Sequence, residues 1–220
     1  MKGLLLVDDV LRARPWLVRG GDHVRWLLIV VTIMLVFGAL YGAVMGSYSG
    51  ARYQQILYSA LKVPLLLAAT FALSLPSFFV LNTLFGLRDD FAASIRALAT
   101  TQAGLTVVLV SFAPFTALWY VSFGGYDSAK MFNLLMFGIA SIAAQGLLRR
   151  FYRPLIQSNP HHRIMMWIWL VIYAFVGIQM AWILRPFIGQ PDVPTTFFRT
   201  EAWGNAYVEV ARTLLRLLGW

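Results

Sequence analysis

The chain has 220 residues, of which 60% are hydrophobic and only 12% charged, against about 25% charged in an ordinary soluble domain. With a mean hydropathy of +0.71 over the whole length, that balance leaves no room for a soluble domain of useful size and assigns the mass to bilayer-spanning helices of about 20 residues each. The net charge of +9 fits basic loops beside anionic lipid rather than nucleic-acid binding, and the absence of cysteine excludes disulfides, thiolate nucleophiles and Cys metal sites.

The first segment, 1–25, has no cleavable signal peptide by its pattern: the apolar run from Leu4 to Val7 is short, and Asp8 and Asp9 follow it at once. Leu4, Val7 and Leu11 share one helical face, and Asp8 and Arg12 stand four apart on another. The spacing predicts a short helix over 3–13 lying on the membrane surface. The first span, 26–46, ends in a column of glycines four apart, Gly38, Gly42, Gly46 and Gly50, flanked by Ala39, Ala43, Ser47 and Ala51. In water each interior glycine would cost roughly 1 kcal/mol of helix stability, whereas in a bilayer such a face lets two backbones approach closely. The face fits either another span of the same chain or an oligomer partner. Span four offers an internal match in Gly138, Ala140, Ser141, Ala143, Ala144 and Gly146.

The second span, 63–87, carries Pro64 near its start and Pro76 in its interior, where a kink and a freed carbonyl are expected. Lys62 and Arg185 stand at span ends, where long cationic side chains can reach the interface. Arg88-Asp89-Asp90 makes a polar turn before the third span, 97–123, and Gly124-Gly125-Tyr126-Asp127 another before the fourth, 129–148. A basic loop with Arg149, Arg150, Arg153 and Arg163 leads to the fifth, 164–184. Arg149, Arg150 and Arg153 can hold anionic lipid headgroups or act as an ordinary positive-inside anchor. The distribution of basic residues favours a cytoplasmic N-terminus. In the tail, 187–220, Pro191 and Pro194 exclude a sixth span, and Trp203, Tyr207, Val210, Leu214 and Leu218 repeat at helical spacing opposite Glu209, Arg212 and Arg216. That pattern predicts an amphipathic helix. The fold class expected is thus an all-α membrane bundle of about five transmembrane helices, with an interfacial N-terminal helix and an amphipathic C-terminal one.

The chemical inventory is sparse. All nine acidic residues fall outside the span interiors, and His23, His161 and His162 fall in loops. No H-E-x-x-H, Walker A or Rossmann fingerprint is present, and the centre of Gly46-Ser47-Tyr48-Ser49-Gly50 is a tyrosine rather than a nucleophilic serine. No catalytic residue, cofactor or metal is expected. The polar residues inside spans are Asn82, Gln102, Asn133, Gln145 and Gln179, which can bond between helices or line a solute path.

The short loops, the glycine-rich span, and the stretch Ala60-Leu61-Lys62-Val63-Pro64 through Pro76-Ser77-Phe78 are similar to bacterial Yip1-like membrane proteins over about 26–186. The resemblance implies a membrane-organising or trafficking-type role through protein contacts, with no catalytic residues to carry over. The expectation is a non-enzymatic protein of the bacterial inner membrane, in contact with lipid and with other membrane proteins or copies of itself. A channel or carrier for a small neutral or anionic solute is the alternative. A third reading is a lipid-acting enzyme with Arg88, Asp89, Asp90 and His161 meeting at the cytoplasmic surface.

Overall fold

A computed structural model of the chain describes residues 2–14, 17, 22–50, 52–123, 125–198 and 207–208. Among the described residues all regular structure is helical: α1 (Lys2–Leu11), α2 (His23–Gly46), α3 (Tyr53–Leu84), α4 (Phe91–Ser111), α5 (Ala113–Ser122), α6 (Tyr126–Ser158) and α7 (His161–Ile183), with short 3₁₀ turns at Ser47–Ser49 and Arg88–Asp90. Helices α2, α3, α4 with α5, α6 and α7 give five segments long and apolar enough to cross a bilayer. The chain is an integral membrane protein built as a helical bundle.

Local chemistry sets the ends of these helices. Asp22 caps α2, its carboxylate accepting from the Arg25 amide at 2.9 Å. Gly86, at φ +70°, turns the chain out of α3, and the amides of Gly86 and Leu87 return to the carbonyls of Thr83 and Asn82. The third span is interrupted at Phe112, because Pro114 has no amide hydrogen and its ring would meet the carbonyl four residues back. At the turn into α7 the Asn159 side chain accepts from the His161 amide at 3.0 Å.

Helix α4 is the axis of the bundle, buried on almost every side over 94–109. Helix α2 packs along α3 and α4, α6 along α4, and α7 along α3. Two apolar cores result, one around Trp26, Phe78, Tyr152 and Trp169, the other around Tyr41, Met45, Leu109 and Met136. The first lies at the end carrying the start of α2 and the α3–α4 and α6–α7 turns, here the basic end. The second lies at the opposite end, where residues 185–198 fold back over the bundle as a strap. Helix α6, with 33 residues, is about 50 Å long, against about 30 Å of bilayer hydrocarbon, so about two-fifths of it overhangs.

Helix α1, expected at the membrane surface, packs against the bundle. Val10 is fully buried, its Cγ1 3.7 Å from where a side chain at Gly104 would begin, with Leu147 closing the same gap. Leu147 precedes Arg149 by half a turn, so α1 sits where α6 changes from apolar to basic. The strip of Val7, Val10 and Leu11 finds protein to cover it at that level, and lipid need not.

Candidate functional site

The glycine column faces α3. A Cβ on Gly42 would stand 2.3 Å from the Ser59 carbonyl oxygen and 2.9 Å from the Cα of Ala60. One on Gly46 would stand 2.8 Å from the Gln55 carbonyl and from Ser59 Oγ, and one on Gly38 would rest at an ordinary 3.5 Å from Pro64. Ala39, Ala43 and Ser47 are half-buried alongside. Two sequence expectations change here. Gly50 is not part of the face, because α2 ends at Gly46 and Gly50 turns the chain at φ +82° with open space around it. The face also meets span two rather than span four. In α6, Ala140 and Ala144 are buried against the second core, whereas Gly138, Ala143 and Gly146 are exposed.

The same end holds a polar column that the sequence reading passed over. Arg52, Gln55, Ser59 and Lys62 lie at spacings of three and four on one side of the first turns of α3, all aimed at the strap. The Lys62 ammonium donates to the Pro186 carbonyl at 2.7 Å and lies 5.0 Å over the Phe197 ring. Gln55 Nε2, at 3.2 Å, and the Ser59 hydroxyl both donate to the Phe187 carbonyl. Arg52 donates to the carbonyls of Gln190 at 2.8 Å, Pro191 at 3.1 Å and Val193 at 2.8 Å, and to the Thr195 hydroxyl at 2.9 Å. From α6, Tyr126 adds a bond to the Ile188 carbonyl at 3.2 Å. Lys62 is thus fully buried rather than reaching for the interface, because the strap covers it.

Two of the intramembrane amides, Asn133 and Gln102, are paired with neighbouring helices. Asn133 accepts from the Tyr41 hydroxyl at 3.1 Å and donates to Tyr120 Oη at 2.6 Å and to the Ala129 carbonyl at 2.8 Å. Gln102 accepts from the Tyr173 hydroxyl at 2.9 Å. Asn82 donates to the Leu87 carbonyl at 3.3 Å, closing the turn after α3. Gln145 and Gln179 are half-buried, and Pro76 lies on the outer surface of α3. These residues do not gather around one cavity.

At the basic end the histidine that meets the acidic turn is His162, not His161. Its Nε2 lies 3.0 Å from Asp90 Oδ2, its ring is fully buried, and Tyr152 packs edge-on against it at 6.4 Å. His161 is exposed and touches Phe85. Arg96 is buried over the Trp26 ring at 5.2 Å, and the Trp26 indole donates to Thr100 Oγ1 at 3.1 Å. Among the described residues no three His, Asp or Glu side chains converge as metal ligands. Arg149, Arg150 and Arg153 are exposed, with the Arg149 guanidinium 5.8 Å over Trp167. The predicted C-terminal helix lies outside the described residues except for Tyr207 and Val208, which are helical, with Tyr207 stacked on Phe175 of α7 at 4.5 Å.

No family model, no curated protein and no solved structure matches this chain.

Proposed function

We propose that the protein is a non-enzymatic, multi-pass component of the bacterial inner membrane, with its basic end in the cytoplasm. It acts through helix contacts as a subunit or organiser of a larger membrane assembly. The observation that carries this reading is the individual pairing of Gln102 and Asn133 with tyrosines of neighbouring helices. A solute path needs polar groups free to exchange partners, and interhelical bonds of this kind hold helices in register instead. The surface of α6 left uncovered at Gly138 gives a neighbouring helix room to approach. The Yip1-like layout of the sequence points to the same kind of role.

The test is mild-detergent extraction of a tagged protein from its native membrane, followed by mass analysis of what accompanies it. Stoichiometric co-purification of other membrane proteins, or a stable homo-oligomer, supports the assembly reading. A monomer that moves a small solute across liposomes overturns it in favour of a carrier.

A further inference from the structure

The α6–α7 hairpin carries a charge pattern that the bundle itself does not use. Arg149 and Arg153 stand one turn apart on α6, and Arg163 and Trp167 one turn apart on α7, all exposed. The two helices are antiparallel and joined at Asn159-Pro160. Contact between Arg149 and Trp167 therefore brings Arg153 beside Arg163 one turn nearer the hairpin tip. None of the ion pairs among the described residues includes these arginines. Of the acids at that end, Asp8 pairs with Arg12 at 2.7 Å, Asp9 with Arg14 at 3.5 Å and Asp90 with His162 at 3.0 Å, Asp22 caps α2, and Asp89 is exposed in the α3–α4 turn beside Arg88. These three guanidinium groups, with Arg150 beside them on α6, are thus left exposed where the apolar run of α6 stops, at the level of a leaflet's headgroups. Half-exposed Trp167 is the ring type that settles at that level.

Below them the surface changes character. Gly146, on the same side of α6 as Arg149, is exposed with nothing within 4 Å of where a Cβ would be, and Val171, one turn from Trp167, is exposed on α7. Arginine forks pair with phosphate oxygens in bidentate geometry, and an apolar dip directly beneath them suits a hydrocarbon chain.

We propose that this hairpin is a binding site for an anionic phospholipid of the surrounding leaflet, its phosphate held by Arg149, Arg153 and Arg163 and one acyl chain lying over Gly146 and Val171. The proposal is independent of the assembly reading, since a monomer and a subunit would bind the lipid alike.

The full chain is reconstituted in bilayers of equal phosphatidylglycerol and phosphatidylcholine, extracted gently, and its retained lipids are counted by native mass spectrometry. The expected result is an enrichment of phosphatidylglycerol of about tenfold or more, lost in Arg149→Gln/Arg163→Gln and kept in Lys130→Gln at the opposite end. Gly146→Leu, which meets open space and leaves the fold alone, should cut retention several-fold with the arginines intact. If the double glutamine variant fails to fold, Arg149→Lys/Arg163→Lys keeps the charges, removes the forks and should give an intermediate enrichment. Equal retention of the two lipids by the wild type, or an unchanged preference in every arginine variant, overturns the proposal. Loss of the preference in excess inorganic phosphate also overturns it, in favour of a site for free phosphate.

Discussion

Gly42 and Gly38 sit on the same stripe of α2, yet a single methyl group separates their fates. At Gly42 the added carbon would lie 2.3 Å from a backbone carbonyl, so either α2 or α3 must move, and Gly42→Ala should destabilise by about 1–3 kcal/mol. At Gly38 the same carbon would rest in ordinary contact with Pro64, and Gly38→Ala should leave stability unchanged or slightly raised. Thermal unfolding in detergent compares the two, and equal behaviour would refute the close approach at Gly42. Asn133 makes a second test at this scale. Asn133→Leu leaves the Tyr41 and Tyr120 hydroxyls without their shared partner, at an expected cost of about 1–2 kcal/mol. That loss should appear as a lower unfolding temperature with no change in permeability of proteoliposomes to small solutes. The identity of the histidine partner belongs here too. His161 and His162 are neighbours in sequence, and only the angle at which α7 leaves Pro160 decides which one turns inward to Asp90.

Among the elements, the spans were legible and their partners were not. Long apolar runs fix where helices form because lipid leaves the backbone no other way to satisfy its amides and carbonyls. The four-residue spacing of the glycines likewise fixes which face of α2 is smooth. Nothing in that spacing says what lies opposite, and α3, joined by a short turn, takes the place that the small residues of α6 also fitted. The strap was invisible for a different reason. Apart from the Thr195 hydroxyl, its acceptors are main-chain carbonyls, which every sequence possesses, and only the donors at Arg52, Gln55, Ser59 and Lys62 leave a trace as a polar column on an otherwise apolar helix. Arg52 alone makes four of those bonds. Arg52→Ala should therefore speed hydrogen exchange and protease cleavage within 187–195 by about tenfold or more, while the bundle's unfolding temperature shifts little, because local opening is separable from global unfolding. Unchanged protection of the strap would show that Phe187 and the residues around it are held by other means.

For the molecule as a whole, an odd number of crossings places the basic end and the strap on opposite sides of the bilayer. The chain has no cysteine, so single reporters can be introduced into an unlabelled background. With the basic end in the cytoplasm, Asp192→Cys should react with a membrane-impermeant maleimide in intact spheroplasts, and Arg163→Cys only after lysis. Reversal of that pattern would invert the orientation read from the basic residues. The overhang of α6 bears on the same experiment, because Arg163 clears the hydrocarbon by virtue of the length of α6 and is accessible once the membrane is opened.

The bonds between α3 and the strap have an evolutionary corollary. A receptor that reads mostly the main chain is largely indifferent to the letters written on its ligand, apart from Thr195 and Phe197, so mutation should fall unevenly on the two partners. Saturation mutagenesis should find the strap permissive at Gln190 and Val193, which are exposed, and Arg52, Ser59 and Lys62 intolerant. Gly189 is the exception on the strap side, since any side chain there would begin 2.7 Å from Gln55 Cγ. Among homologues the lock should be preserved while the key drifts, with one small notch held constant.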